Sequence, residues 1–355
     1  MVHSHRIVVA NQHLTPRGHG QTLARCSSDL LPQQPTLAPS VEVVVPPEVF
    51  ALGVSLLGGH TGLHDVLGST VRTSFASKHF GNISLFAPAN DSETWCDSVS
   101  YDFEAAENAS AIAIDLGANI GDSTIQMWRR GLRVIAAFEP MPLTYFYLRW
   151  NLAANGIPLL SEEAFIERAN GRGDEAGVLA LHAGATKDGR TLMMKTGTQT
   201  KSSAAIDELP NGNGLLCDGL VRCMMPSLVP PHASPLGPSS PPTASNRQPV
   251  QAVATRSVAA MLANASAAGI IHVLKVDCEG CEYEVLPDMY AYGMLGGVRR
   301  IVGEVHPWSS SPHTSSTRER YEWLLAHFCS AYYWRGIRHR FKPKLVNSQL
   351  ECLHG

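Results

Sequence analysis

Apolar and polar positions fall into a readable rhythm only from residue 111 onward. Ala111 to Leu116 is an apolar run that carries Asp115 near its end, a Gly-rich turn follows, and Ser123 to Arg130 reads as a helix. A second run from Arg133 to Phe138 ends at Glu139. Pro140 and Pro142 then open a helix through Tyr145, Leu148 and Leu152 that stops at Asn155-Gly156. This order predicts a parallel sheet with covering helices. Val178 to His182, Thr191 to Lys195 and Ser203 to Ile206 read as further strands. After a break the rhythm resumes: a helix around Ser257 to Ala267, a strand from Ile270 to Val276 ending at Asp277, and a helix from Glu282 to Tyr292. A strand from Val298 to Val302 then leads to Glu304, and Thr317 to Phe328 reads as a last helix. The fold expected is a doubly wound, mostly parallel α/β sheet, Rossmann-like, with ligands beyond the carboxyl ends of its strands.

The remaining segments lack this period. Residues 1–40 predict a disordered tail, and residues 41–110 an N-terminal cap that starts with a β-like run, Val41 to Val45, stopped by Pro46 and Pro47. The main domain spans 111–345. Within it, 207–250 reads as a mobile Pro/Ser-rich insert, since eight of the chain's 23 prolines lie from Pro226 to Pro249. Residues 346–355 are expected to be a second tail.

Composition narrows the function classes. Hydrophobic residues at 44% and charged residues at 17% of 355 support one sizeable core. Lys plus Arg at 28 against Asp plus Glu at 31 gives no electrostatic reason for a nucleic-acid partner, and no apolar run is long enough for a membrane span. Eight scattered cysteines suggest reduced thiols and a cytoplasmic setting. The alternative is an organelle, because the first 28 residues hold Arg6, Arg17 and Arg25 and no acid. Arg335, Arg338, Arg340, Lys342 and Lys344 read as a solvated edge strand.

The chemistry concentrates at strand ends. In Asp115-Leu-Gly117-Ala-Asn119-Ile-Gly121-Asp122-Ser-Thr124, the glycines let the backbone approach a ligand and the helix start supplies amide donors. The spacing is not that of a dinucleotide site, and Asp115 and Asp122 both repel a pyrophosphate. A cationic or zwitterionic ligand fits better, and S-adenosylmethionine carries a sulfonium and an ammonium but no phosphate. Asp122 is also explained without a ligand, as a helix-start acid. Glu139 stands where an acid accepts hydrogen bonds from both ribose hydroxyls. Lys275-Val-Asp277-Cys-Glu279-Gly280-Cys-Glu282 crowds three carboxylates into six residues, so one of them is a candidate general base, with Lys275 pairing one of the three. Cys278 and Cys281 form a C-x-x-C that admits zinc, redox or merely small-residue readings. His306, near Glu304, is a second candidate base.

These blocks, together with Phe138-Glu139-Pro140, Asn151 with Asn155, and Gly303-Glu304-Val-His306, resemble the FkbM-type S-adenosylmethionine-dependent methyltransferases over roughly 111–306. The resemblance implies a class I methyltransferase fold. It implies that Asp115, Gly117, Asn119 and Gly121 line the methionyl part of the cofactor, and that Glu139 holds the ribose. Asn155 takes either a cofactor role or that of a helix terminator. Two features depart from the family: the Pro-rich insert, and Thr255-Arg256-Ser257 where a Leu-Asp-Asp-like pair is usual. The expected activity is methyl transfer to a hydroxyl of a sugar, glycan or small natural product, with catalysis by Asp277, Glu279 or His306. The alternatives are an inactive cofactor-binding or interaction module on the same fold, and a nicotinamide-dependent oxidoreductase.

Overall fold

A computed structural model describes residues 5–12, 40–89, 101, 103, 111–195, 206–207, 217–218, 222–223, 250–263, 271–278, 280–305, 332–333 and 348–354. The N-terminal part runs β1 (His5–Gln12), β2 (Ser40–Val45), α1 (Pro47–Leu56), α2 (Gly59–Gly68), β3 (Thr70–Ser77) and β4 (Gly81–Pro88). Its four strands form a sheet ordered β2-β1-β3-β4. Strand β1 lies inside what the sequence assigned to a disordered tail. Its Ile7-Val8-Val9 triplet is apolar throughout although Val9 is buried and Val8 is 69% exposed, so the chain carries no alternation to announce a strand.

The second part starts with β5 (Ile112–Leu116), α3 (Asp122–Arg129), β6 (Val134–Phe138), α4 (Pro142–Ala154), α5 (Glu162–Ala169) and β7 (Gly177–Leu181). Pro142 stands in the first turn of α4, where a missing N–H costs nothing, and Gly156 at φ +67 lies just past its end. The Ser161 side chain caps α5 by accepting from the Ala164 N–H at 3.1 Å. Short strands follow: β8 (Gly184–Thr186), β9 (Leu192–Lys195), β10 (Ile206–Asp207), β11 (Cys217–Asp218), β12 (Arg222–Cys223), β13 (Val250–Val253) and β14 (Thr255–Ser257). Most of the 207–250 insert lies outside the described residues. The chain continues through α6 (Val258–Ala263), β15 (Ile271–Val276), α7 (Glu282–Ala291), β16 (Val298–Val305), β17 (Tyr332–Tyr333) and β18 (Ser348–His354).

Seven of these strands form one sheet ordered β17-β18-β16-β15-β5-β6-β7, parallel from β16 to β7. The supposed C-terminal tail is strand β18, which runs antiparallel between β16 and β17. Alternation along β5 sends Ile112, Ile114 and Leu116 into a core with α5, α6 and α7. Ala113 goes to the opposite core with α3 and α4. Burial on both faces is why β5, β6 and β15 read as continuous apolar runs. The helix expected at 317–328 lies outside the described residues. Among those described, no helix is long and apolar enough to cross a membrane.

A third core joins the two parts. Val45, Val49, Phe50, Leu63 and Phe86 from the N-terminal part pack with Phe146, Tyr147 and Trp150 of α4, and Phe86 stacks on Trp150 at 4.1 Å. Asn151 and Asn155, one turn apart on α4, face the edge strand β4. The Asn151 amide accepts from Phe86 N–H at 2.6 Å and donates to Phe86 C=O at 3.0 Å, while Asn155 does the same to Ser84 at 3.3 and 2.7 Å. Asn155 is thus occupied with β4, and both asparagines serve as the missing ladder partner of an edge strand.

Candidate active site

Strand order reverses direction between β5 and β15, the place where an open α/β sheet splits to leave a crevice. Register brings Lys275 beside Asp115 and Val276 beside Leu116, so both exits carry polar groups into the same gap. A cleft opens there, lined by Gly117 and Asn119 after β5, by Glu139 to Met141 after β6, and by Asp277, Cys278 and Cys281 after β15. Gly184, Ala185, Leu192 and Met194 form its apolar side.

Asp115 does not line the cleft as the sequence reading expected. Its fully buried carboxylate accepts from Ser123 Oγ at 2.7 Å and Thr124 Oγ1 at 2.6 Å, and its other oxygen lies 3.3 Å from Lys275 Nζ. It ties β5 to the start of α3 and to β15 from behind the Gly turn. Gly121 and Asp122 are likewise absent from the lining. Gly121 takes φ +93 at the α3 N-terminus, where a Cβ would meet Leu148, and Asp122 is buried in the first turn. Gly117 is required by a neighbour: at φ +78 its Cβ would fall 1.9 Å from the Asp277 carbonyl oxygen.

Asn119 does face the cleft. It is the one non-Gly residue of positive φ among those described, at +50°, and its Oδ1 is buried without a hydrogen-bond partner. A strained backbone and an orphaned acceptor at one position are marks of a residue held for a ligand. Glu139, also buried, accepts from Asn119 N–H at 2.9 Å, Met141 N–H at 2.8 Å and Thr144 Oγ1 at 2.6 Å. Burial pushes its carboxyl above the ordinary glutamate range, outweighing those three hydrogen bonds.

Lys275 is buried and reaches four oxygens: Gly117 C=O at 2.6 Å, Leu116 C=O at 3.4 Å, Asp115 at 3.3 Å and Asp277 at 3.7 Å. Burial alone would pull its pKa down, but Asp115, then Asp277 and Asp122, outweigh it and hold the ammonium protonated well above its ordinary range. The sequence had placed its partner among Asp277, Glu279 and Glu282. Asp277 is one of its partners, and the second is Asp115. Asp277 is 30% exposed on the cleft and also accepts from Tyr101 Oη at 2.7 Å. Tyr101 was missed from sequence because it stands in the illegible stretch before residue 111. Glu279 and His306 lie outside the described residues.

Cys278 and Cys281 are joined in a disulfide, their Cα atoms 5.4 Å apart, which corrects the expectation of reduced thiols for this pair. Thr255-Arg256-Ser257 is strand β14, and the Thr255 and Thr186 hydroxyls share a buried hydrogen bond at 2.7 Å, so this departure from the family pattern fills a structural place.

Comparison with known proteins gives one match. The family model described as the methyltransferase FkbM domain matches residues 115–328, more than half of the chain. No curated protein and no solved structure matches it.

Proposed function

Because the chain belongs to the FkbM methyltransferase family, we propose that it transfers a methyl group from S-adenosylmethionine to a hydroxyl oxygen of a sugar, glycan or small natural product. The observation that carries this reading is the convergence of Glu139, the orphaned Asn119 Oδ1 and Asp277 on one cleft at the sheet's switch point. The order of the seven strands, with β18 antiparallel, supports a class I methyltransferase fold.

The residues present fit this cofactor. Oε1 of Glu139 already accepts twice and Oε2 once, so of the carboxylate's four lone-pair directions one on Oε2 remains for a ribose hydroxyl. Asn119 Oδ1 needs a donor, which an ammonium or hydroxyl supplies. Met141, Leu192 and Met194 form an apolar wall for a purine face. Around Lys275 stand Asp115, Asp122 and Asp277, so the methionyl side carries more negative than positive charge and favours a cation over a pyrophosphate. That distribution opposes the nicotinamide alternative.

S-adenosylmethionine supplies an electrophilic methyl on a sulfonium. The protein's part is to align an acceptor oxygen and remove its proton. The second task is assigned in this reading to Asp277, which lines the cleft. Its Oδ2 accepts from Tyr101 Oη at 2.7 Å and lies 3.7 Å from Lys275 Nζ, which fixes the carboxylate's orientation on the cleft.

Calorimetric titration of the full chain with S-adenosylmethionine and S-adenosylhomocysteine, beside Glu139→Ala, tests the assignment. Micromolar binding that the variant loses supports it. Absence of binding to folded protein overturns it, and binding without turnover on any hydroxylated acceptor favours the inactive module.

A further inference from the structure

We propose that Cys278 and Cys281 are a redox-active pair built into the cofactor cleft, a site for small thiols and disulfides, whose oxidised form holds the cleft in its binding shape. This inference rests on the cofactor reading above for its effect on affinity, although not for the redox chemistry itself.

Three observations carry it. First, both cysteines line the cleft, and they are asymmetric: Cys278 is half-buried whereas Cys281 is 3% exposed. A thiolate from solution therefore reaches the Cys278 sulfur, and Cys281 is placed to leave or to resolve a mixed disulfide. Second, the pair spans a strand exit and the first turn of a ten-residue helix, with Cys281 at the N-cap of α7, where the helix dipole favours a thiolate. Third, the turn they close is in hard contact with the cofactor loop. Besides the Asp277 carbonyl, a Cβ on Gly117 would meet Cys278 Cα at 3.2 Å. Asp277 N–H also donates to Leu116 C=O at 3.1 Å, and Gly280 N–H to the buried Glu282 carboxylate at 2.9 Å. With no slack between the two turns, a displacement of 277–281 passes directly to Gly117 and Asn119.

The exchange balances with a small disulfide as oxidant. The Cys278 thiolate attacks one sulfur of the disulfide and expels one thiolate. The Cys281 thiolate then attacks Cys278 Sγ and expels the second. Two protein thiols become one protein disulfide, and one small disulfide becomes two thiols, with two electrons and two protons carried across. A small dithiol drives the reverse. In the reduced form the two sulfurs separate beyond bonding distance, which pushes Cys278 toward the cleft and loosens the turn behind Gly117.

The full chain is poised with either dithiothreitol or oxidised glutathione, alkylated and digested with trypsin. The peptide Val276 to Arg299 contains both cysteines and no other. S-adenosylmethionine affinity is measured in both poises, on the natural chain and on Cys278→Ser/Cys281→Ser. The pair should interconvert reversibly with the far-ultraviolet spectrum unchanged, and reduction should weaken binding about tenfold. The double variant should bind as the reduced protein does in either poise, which separates this pair from the other cysteines. A peptide locked in one state under both poises overturns the proposal. So does equal affinity in the two states, or a double variant that responds to the poise as the natural chain does. Interconversion with no binding in either state overturns the methyltransferase reading, and with it the coupling to affinity.

Discussion

Replacing Asn151 by alanine removes the side chain that closes the edge of β4 against α4. Asn151 is fully buried, and its amide makes three hydrogen bonds, with Phe86 N–H, Phe86 C=O and Ile120 C=O at 2.6, 3.0 and 2.8 Å. The partners are backbone groups that the variant leaves buried, at about 1 to 3 kcal/mol each. The vacated space admits roughly one water, which recovers part of that. The expected loss is about 3 kcal/mol by urea denaturation. Asn155→Ala, in a partly buried setting, should lose only about 1 kcal/mol. Asn151→Asp keeps the acceptor for Phe86 N–H but turns a second oxygen toward two carbonyl oxygens, so it should be at least as damaging as alanine. A loss below about 1 kcal/mol for Asn151→Ala, or a larger loss at Asn155, would refute the view that Asn151 ties the N-terminal sheet to the methyltransferase part.

Three further outcomes follow from the cleft. Gly117→Ala places a Cβ where the strand exits must part by roughly 1.5 Å to accept it, and calorimetry should show cofactor binding lost in a protein that still folds. Lys275→Met leaves Asp115 buried without its countercharge, at a cost of about 3 to 5 kcal/mol by urea denaturation; a loss below about 1 kcal/mol would argue against the pairing. Burial raises the Glu139 pKa, so its contribution to the free protein's stability is present below the ordinary glutamate range and is lost as pH rises through the raised value. Ribose hydroxyls favour the ionised form, so the thermal stabilisation by S-adenosylmethionine should grow with pH across that window; a flat profile, or the same profile in Glu139→Gln, would argue against the ribose role.

What was legible in the sequence follows from burial. Strands β5, β6 and β15 announced themselves because both faces are covered, and α4 did so through Pro142 and Asn155-Gly156. Strand β1 carried apolar residues on both faces with only one of them covered, so its pattern said nothing. Of the residues singled out from the sequence, Gly117, Asn119, Glu139 and Asp277 line the cleft. The same block also serves the frame: Asp115 holds Ser123, Thr124 and Lys275, and Gly117 makes room for Asp277. A motif states that these residues are required together and leaves open which of them touch the ligand.

Tyr101 brings the part before the matched stretch into contact with Asp277. Its ring stands 5.9 Å from Lys275 Nζ, its backbone carbonyl accepts from the buried Arg300 at 3.4 Å, and its hydroxyl donates to Asp277. Lys275 is shared between Asp115 and Asp277, so it cannot by itself neutralise either, and a donor from outside the sheet completes the set around Asp277. The segment that supplies this donor lies between two anchors, the asparagine-bound β4 and the buried strand β5. Loss of the Tyr101 hydroxyl therefore acts on Asp277 directly. Proton removal from the acceptor should suffer in Tyr101→Phe sooner than cofactor binding, because the cofactor's proposed contacts, Asn119 and Glu139, stand in the turns after β5 and β6 and do not touch Tyr101 through any hydrogen bond named above.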